Sequence, residues 1–317
     1  MEYWVLAFYV LETIDDPHLE VARHKDFFSS RDLRSRLYIS EKGINGQMSG
    51  SAAHAQEYMD WLRSDPRFAS TVFKIHHWHE QAFPKATIKY RKQLVAMDRE
   101  IDLSDQGEYV EPQRWSEMLR NRDEDTIVID VRNDYEWKIG RFKGSELPEL
   151  ETFREFPEYL QKLKQQRDPK KTKIMMYCTG GIRCSFFSPL MKREGFEQVF
   201  QLKGGVIQYG LDEGQGEWEG KLFVFDDRLV VPISQESAPA ISECQYCNVS
   251  TDLYYNCANM DCNDLYICCA DCYQACRGCC CEECKAGRVR AIDPNSNPKP
   301  FRKQRKDECS STPLALI

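Results

Sequence analysis

Apolar residues fall along this chain in three successive patterns. In residues 1–97 they form short runs. Trp4-Val5-Leu6-Ala7-Phe8-Tyr9-Val10 predicts an opening strand, and Asp15-Asp16-Pro17 starts a helix that runs through Phe27-Phe28. Arg36-Leu37-Tyr38-Ile39-Ser40 and Gln47-Met48-Ser49 read as strands joined across Gly43-Ile44-Asn45-Gly46, a turn-compatible link. Ser51 caps a second helix carrying Tyr58, Met59, Trp61 and Leu62, which ends near Asp65-Pro66. Strands around Val72–Ile75 and Ala86–Tyr90 follow, and the order β-α-β-β-α-β predicts an α+β ferredoxin-like sandwich.

The second pattern is an alternation of buried-strand runs and helices. An acidic stretch, 98–122, reads as a linker with one helix around Trp115–Leu119. In residues 123–222, Ile127-Val128-Ile129-Asp130, Lys173-Ile174-Met175-Met176-Tyr177 and Gln198-Val199-Phe200-Gln201-Leu202 are short apolar runs separated by helical segments. They predict an α/β domain with a parallel sheet. Residues 223–239 read as a connector.

The third pattern is made of cysteine. Twelve of the 15 cysteines lie in residues 240–287, and the others are Cys178, Cys184 and Cys309. Residues 288–317 read as a basic, flexible tail. Met1-Glu2-Tyr3-Trp4 lacks the basic, apolar and small-residue sequence of a secretory signal, and no apolar run is long enough for a membrane span. A cytoplasmic protein is expected. In that compartment clustered thiols point to metal more than to disulfides. Cys244-x-x-Cys247, Cys257-x4-Cys262, Cys269-x-x-Cys272 and Cys280-x3-Cys284 carry metal-ligand spacing. The expectation is two structural zinc ions, the first pair joined with the third and the second with the fourth. Cys268, Cys276, Cys279 and Cys281 offer local substitutes, and disulfides or an iron–sulfur cluster stay open.

The chemistry concentrates in Cys178-Thr179-Gly180-Gly181-Ile182-Arg183-Cys184, between a predicted buried strand and a helix. Reactive groups collect at the carboxyl edge of such sheets, and two glycines let successive amides curl into an anion nest. A cysteine at that nest with Arg183 nearby is expected to sit as thiolate, ready to act as nucleophile or to carry sulfur. The plainer reading of Cys178 is a small buried hydrophobe. Cys184 either resolves an oxidised Cys178 or packs in the first helical turn. Asp130, Arg132 and Glu136 either order the loop through ion pairs or cap a helix.

Several motifs together resemble a known family. Asp130-Val131-Arg132-Asn133-Asp134-Tyr135-Glu136, Gly140-Arg141-Phe142-Lys143-Gly144, the cysteine loop and Leu202-Lys203-Gly204-Gly205 resemble a rhodanese domain. Gly43-Ile44-Asn45-Gly46, Asp65-Pro66-Arg67-Phe68, Thr152-Phe153-Arg154-Glu155-Phe156-Pro157 and Phe223-Val224-Phe225-Asp226-Asp227-Arg228 resemble the bacterial tRNA uridine(34) hydroxylases. The resemblance implies an acylphosphatase-like N-terminal domain, a rhodanese domain and a Cys-rich C-terminus. It also implies oxygen-dependent conversion of uridine 34 in the tRNA anticodon loop to 5-hydroxyuridine. Cys178 and Arg183 would be catalytic, and Thr179, Gly180, Gly181, Ile182 and Cys184 would form the active-site loop. Dioxygen would be a co-substrate, and no flavin, haem or nicotinamide motif is seen. One departure is visible: Ser185 stands where the family carries an acidic residue directly after the second loop cysteine.

A net charge of −7, from 43 basic and 50 acidic residues, requires any RNA to bind a local basic surface. Three stretches qualify. They are Lys162 to Lys173, then Lys85, Lys89, Arg91 and Lys92, and lastly the tail from Arg288 to Lys306. Competing readings are a sulfurtransferase carrying sulfane sulfur on Cys178 and a non-catalytic zinc-bearing interaction protein.

Overall fold

The computed structural model describes residues 2–97, 100–150 and 152–292. Its first domain is built from β1 (Tyr3–Val10), α1 (Pro17–Ser29), β2 (Leu33–Ser40), β3 (Gly43–Ser51), α2 (Ala52–Arg63), β4 (Lys74–Trp78) and β5 (Ala86–Tyr90). The sheet order is β4-β1-β3-β2-β5, the ferredoxin-like arrangement with β5 added parallel to β2. Alternation along the strands gives the sheet two unlike faces. Leu6, Phe8, Leu37, Ile39, Ile44 and Met48 pack against the helices with Tyr58 and Leu62. The other face carries Ala7, Tyr9, Arg36, Tyr38, Asn45 and Gln47. Asp16 caps α1 by accepting from the Leu19 amide, and Ser51 caps α2 by accepting from His54.

The second domain holds β6 (Glu108–Val110), α3 (Pro112–Arg120), β7 (Thr126–Asp130), α4 (Asp134–Trp137), β8 (Gly140–Phe142) and α5 (Phe156–Gln166). It continues with β9 (Lys173–Tyr177), α6 (Ile182–Arg193), β10 (Gln198–Leu202), α7 (Gly205–Glu213) and β11 (Trp218–Gly220). Strands β6-β10-β9-β7 form a parallel sheet covered on both faces. Phe156, Leu163, Phe187 and Met191 from α5 and α6 fill one side. Trp115, Leu119, Val206 and Tyr209 from α3 and α7 fill the other.

The stretch 98–122, read from sequence as a linker, supplies β6 and α3 to this domain. Strand β6 escapes a pattern reading because it is short and only Val110 of it is buried. The supposed connector is likewise packed. Phe223 and Val230 pair within a hairpin of β12 (Leu222–Phe223) and β13 (Val230–Val231).

The C-terminal module comprises β14 (Tyr254–Asn256), β15 (Leu265–Ile267), α8 (Ala270–Ala275) and α9 (Glu282–Lys285). Cysteines supply much of its core. It docks through Tyr254, which packs with Ile139, Phe223 and Leu229 and donates its hydroxyl to the Tyr135 carbonyl at 2.6 Å. At the start of the expected tail, Arg288 pairs with Asp261 and the Arg290 amide donates to Ala258. Residues 293–317 lie outside the described residues. Among the described residues no helix is long and apolar enough to cross a membrane.

Candidate active site

Strand β9 delivers Cys178 to the carboxyl edge of the parallel sheet, and α6 begins four residues beyond it. The loop curls because Gly181 takes φ 101°, which turns its amide onto the Cys178 sulfur at 3.1 Å. The start of α7 closes the loop from the other side. The amides of Val206 and Ile207 donate to the carbonyls of Cys178 and Thr179 at 3.0 and 3.1 Å. Gly204 and Gly205 both have positive φ, and a Cβ at Gly205 would lie 2.5 Å from the Cys178 carbonyl oxygen. Only glycine permits that approach. The Gly-Gly after β10 is thus part of the cysteine loop's construction.

Cys178 is completely buried. Burial alone raises a thiol, but hydrogen bonding to Cys184, the Arg183 charge and the Cys184 and Gly181 amides outweigh it. The group is brought down from 9.0 to about 5. Cys184, also buried, is pushed up by burial and by the Cys178 charge. The loop therefore holds one thiolate and one thiol at neutral pH.

Arg183 reaches back to α4. Its guanidinium donates to both carboxylate oxygens of Glu136 at 2.6 and 2.7 Å, and Thr179 adds a hydroxyl bond to Glu136 at 2.9 Å. Glu136 is fully buried, and burial opposes its charge, yet the Arg183 charge holds its carboxyl below the ordinary range. The same carboxylate accepts the Asn133 amide at 3.1 Å, so one side chain starts α4 and also clamps the loop. Asp130 and Arg132 are placed differently. Their buried pair bonds at 2.6 and 2.8 Å, and Arg132 donates onward to the Gly140 carbonyl. This pair ties β7 to β8 behind the site, and Arg132 also donates to the Glu136 carbonyl at 3.5 Å.

The first domain supplies groups that a linear reading overlooks. Lys74 of β4 is buried, and among the described residues its ammonium makes one hydrogen bond, to the Gly180 carbonyl at 2.9 Å. Burial lowers its ammonium to about 8, and it sits 5.5 Å from the centroid of the Tyr9 ring. The hydroxyls of Tyr9 and Tyr109 lie 3.3 and 3.0 Å from Ser185 Oγ. Ser185, the position that departs from the family pattern, thus joins the first domain and β6 to the first turn of α6.

Between the loop and the helix-free face of the first sheet lies a cavity of about 330 Å³. Thr179, Gly180, Ile182 and Arg183 form one wall, and Lys74, Gln47, Arg36, Tyr9 and Tyr38 face them. At Gly180 an added Cβ would meet nothing within 4 Å, so the cavity opens directly onto the loop backbone. A groove of about 740 Å³ adjoins it, shares Arg36, Tyr38, Tyr135 and Phe225, and is walled by β14 and β15.

The basic stretches divide. Lys162 to Lys173 lead up to and open β9 at the sheet edge opposite Cys178, with Lys164 and Lys173 paired to Glu194 and Asp123. Lys89 sits opposite Tyr38 in the register of the first sheet, and Arg91 lies 5.1 Å from the centroid of the Tyr38 ring, beside the cavity.

In the C-terminal module the sulfurs of Cys244, Cys247, Cys269 and Cys272 lie within 4.8 Å of one another, as do those of Cys257, Cys262, Cys280 and Cys284. Cys247–Cys269, Cys262–Cys280 and Cys280–Cys284 are separated by 3.7, 3.6 and 3.7 Å. Thiolates at about 2.3 Å from a tetrahedral zinc stand roughly 3.8 Å apart, so both tetrads fit a metal ion. Of the substitutes, Cys268 lies 3.9 Å from Cys244 and donates to the Cys269 carbonyl.

The chain therefore joins an acylphosphatase-like domain to a rhodanese domain and a Cys-rich module able to hold metal. Family profiles agree: the UPF0176 acylphosphatase like domain matches residues 3–94, the Rhodanese-like domain 112–210, and the Rhodanase C-terminal profile 219–285. The tRNA uridine(34) hydroxylase of Protochlamydia amoebophila is 53% identical over 313 residues, covering 98% of each chain. Those of Chlamydia caviae and Chlamydia pneumoniae are 53% and 51% identical, covering 95% and 98% of this chain and 91% and 96% of their own. This chain belongs to the tRNA uridine(34) hydroxylase family. Among solved structures, an Anabaena rhodanese-like domain aligns with TM-score 0.30 at 20% identity, over 35% of this chain and 78% of its own.

Proposed function

We propose that this protein hydroxylates the fifth ring position of uridine 34 in tRNA, with dioxygen as co-substrate and Cys178 as the reacting group. The observation that carries the reading is Cys178 held in a glycine loop, its sulfur accepting the Gly181 amide and its thiolate favoured by Arg183, where that loop lines a cavity between two domains. Family membership supports the substrate.

The first chemical step follows from ordinary uracil reactivity. The thiolate adds to the sixth ring position, forming a carbon–sulfur bond. The electron pair of the ring double bond then moves onto the fifth carbon and the neighbouring carbonyl oxygen as an enolate. That electron-rich carbon bonds one atom of dioxygen; a two-electron donor of the thiol class reduces the resulting hydroperoxide and releases the second atom as water, and loss of the proton on the fifth carbon then expels the Cys178 thiolate from the sixth. Arg183, fixed by Glu136, is the wall group that favours developing negative charge, and the loop amides act in the same sense. Gly180 leaves the backbone open for the ring to approach.

A 34th nucleotide leaves the anticodon loop to enter such a cavity, as bases do when chemistry is done on them. Arg91, over the Tyr38 ring of the cavity wall, is suited to its phosphates. The tetrads are assigned two structural zinc ions, one held by Cys244, Cys247, Cys269 and Cys272 and the other by Cys257, Cys262, Cys280 and Cys284. Bound there, zinc would lock the module that forms one wall of the adjoining groove. A tRNA-modifying enzyme of this kind would act in the cytoplasm.

The test is nucleoside mass spectrometry of unmodified tRNA incubated with the protein in air, beside a Cys178→Ser protein. A gain of one oxygen at uridine 34 that disappears in the variant is the expected result. A gain of sulfur would move the assignment to sulfur transfer.

A further inference from the structure

The register of the first sheet aligns four side chains that nothing in the linear sequence connects. Ala7 pairs with Lys74 on one side and Gln47 on the other, and Gln47 pairs with Arg36. Directly opposed residues in a sheet project from the same face. Lys74, Ala7, Gln47 and Arg36 therefore form one row across β4, β1, β3 and β2, and all four line the cavity opposite the cysteine loop. The next row is Tyr9, Asn45 and Tyr38.

The row has an order of hydrogen-bonding character. Lys74 is a pure donor whose ammonium is buried with the Gly180 carbonyl as its single hydrogen-bonded partner among the described residues. Arg36 is a pure donor that spends one N–H on the Phe225 carbonyl at 2.9 Å. Between them, the side-chain oxygen of Gln47 is buried and has no hydrogen-bond partner. A buried acceptor left unmet is costly, and Gln47 is a residue of the cavity lining, so a small rotation of its amide would offer that oxygen to a ligand donor. Ala7 leaves the row short of bulk where a ring would lie.

The geometry points to this row as the site that reads the uracil ring, with Gln47 as its specificity-determining residue. The inference rests on the hydroxylase reading above. Uracil presents acceptor, donor, acceptor along O2, N3–H and O4, the complement of Lys74, Gln47 and Arg36 read across the sheet. Cytosine places an amino donor where one of the two cationic donors stands, and the site rejects it. The third ring position lies diametrically opposite the sixth. Seating N3–H on the sheet therefore aims the sixth and fifth carbons at the loop that carries Cys178. The same placement gives the first domain its purpose: one domain reads the ring and the other reacts with it.

The test uses full-length protein and two anticodon stem-loop RNAs, one with uridine at position 34 and one with 3-methyluridine. Products are counted by nucleoside mass spectrometry. The wild type should favour uridine by at least about 100-fold in kcat/KM. Gln47→Ala should lose about 10-fold or more on uridine, and its discrimination against the methylated ring should collapse to within about 10-fold. Gln47→Glu keeps an acceptor and should keep the discrimination. Arg36→Met, at the outer end of the row, should slow uridine turnover while leaving the discrimination intact. It supplies an independent check should Gln47→Ala melt early. A Gln47→Ala protein that keeps both its rate and its discrimination overturns the assignment while the hydroxylase reading stands. A wild type that adds no oxygen to uridine 34 overturns both.

Discussion

The molecule handles sulfur in two opposite ways. In the rhodanese loop a single thiol is ionised by what the chain itself provides. Against the penalty of burial stand the Cys184 thiol, the Arg183 charge and two amides, and the group ends near 5. In the C-terminal tetrads the sulfurs are each other's neighbours. Cys280 is pushed far up by its bonds to Cys257 and Cys262, and Cys272 is pushed up by burial and by its bonds to Cys247 and Cys269. Fixed dipoles serve one anion well, but four thiolates packed together need a cation among them. Reactive and structural cysteine are thus distinguished by who balances the charge, not by burial, since Cys178, Cys244 and Cys257 are all fully buried.

The largest effect that would sharpen this contrast is loss of the loop sulfur. Cys178→Ser should lower hydroxylation by about 1000-fold or more while metal content stays at two ions per chain, measured by nucleoside and elemental mass spectrometry. Conversely, Cys262→Ala should remove one metal equivalent and leave the other, destabilise the module by several kcal/mol, and spare the ionisation of Cys178. Elemental analysis and limited proteolysis read both arms.

Next comes the clamp. Glu136→Gln leaves the Arg183 charge without its buried carboxylate and should cost about 3–5 kcal/mol in urea unfolding. It should also lower turnover. A loss of stability with unchanged turnover would make Glu136 a folding residue only.

The pH dependence is smaller but has a definite sign. The folded Cys178 value, about 5, lies below the ordinary 9.0, so its contribution to stability is complete above the unfolded value. It is lost as pH falls through about 5. The ultraviolet thiolate absorbance of wild type minus Cys178→Ser should titrate near 5, and kcat/KM should fall below that pH. A midpoint near 9 would break the comparison.

The smallest effect belongs to Ser185→Ala. It removes the shared partner of Tyr9 and Tyr109 and should cost roughly 1 kcal/mol in urea unfolding, with little change in turnover.

What could be read from the sequence depended on distance along the chain. Cys178 to Arg183 is a local motif, and the CxxC-type pairs carry their spacing with them. Both could be singled out before any fold was known. Glu136 was visible only as a candidate, because its 47-residue separation from Arg183 hides the choice between capping and clamping, and it does both. Lys74, Gln47 and Arg36 gave no signal. They come from three strands and meet only through a register that a one-residue slip would invert. Strand β6 was missed because its pairing, not its own apolarity, makes it a strand. Ser185 was noticed as a departure, and the two tyrosines that meet it come from 76 and 176 residues away.

The most direct measurement is to incubate unmodified tRNA with wild-type protein under isotopically heavy dioxygen in ordinary water, and to weigh the nucleoside at position 34. A uridine heavier by one labelled oxygen, absent with Cys178→Ser, is the predicted result. Oxygen drawn from water, a gain of sulfur, or labelling that survives loss of Cys178 would contradict it.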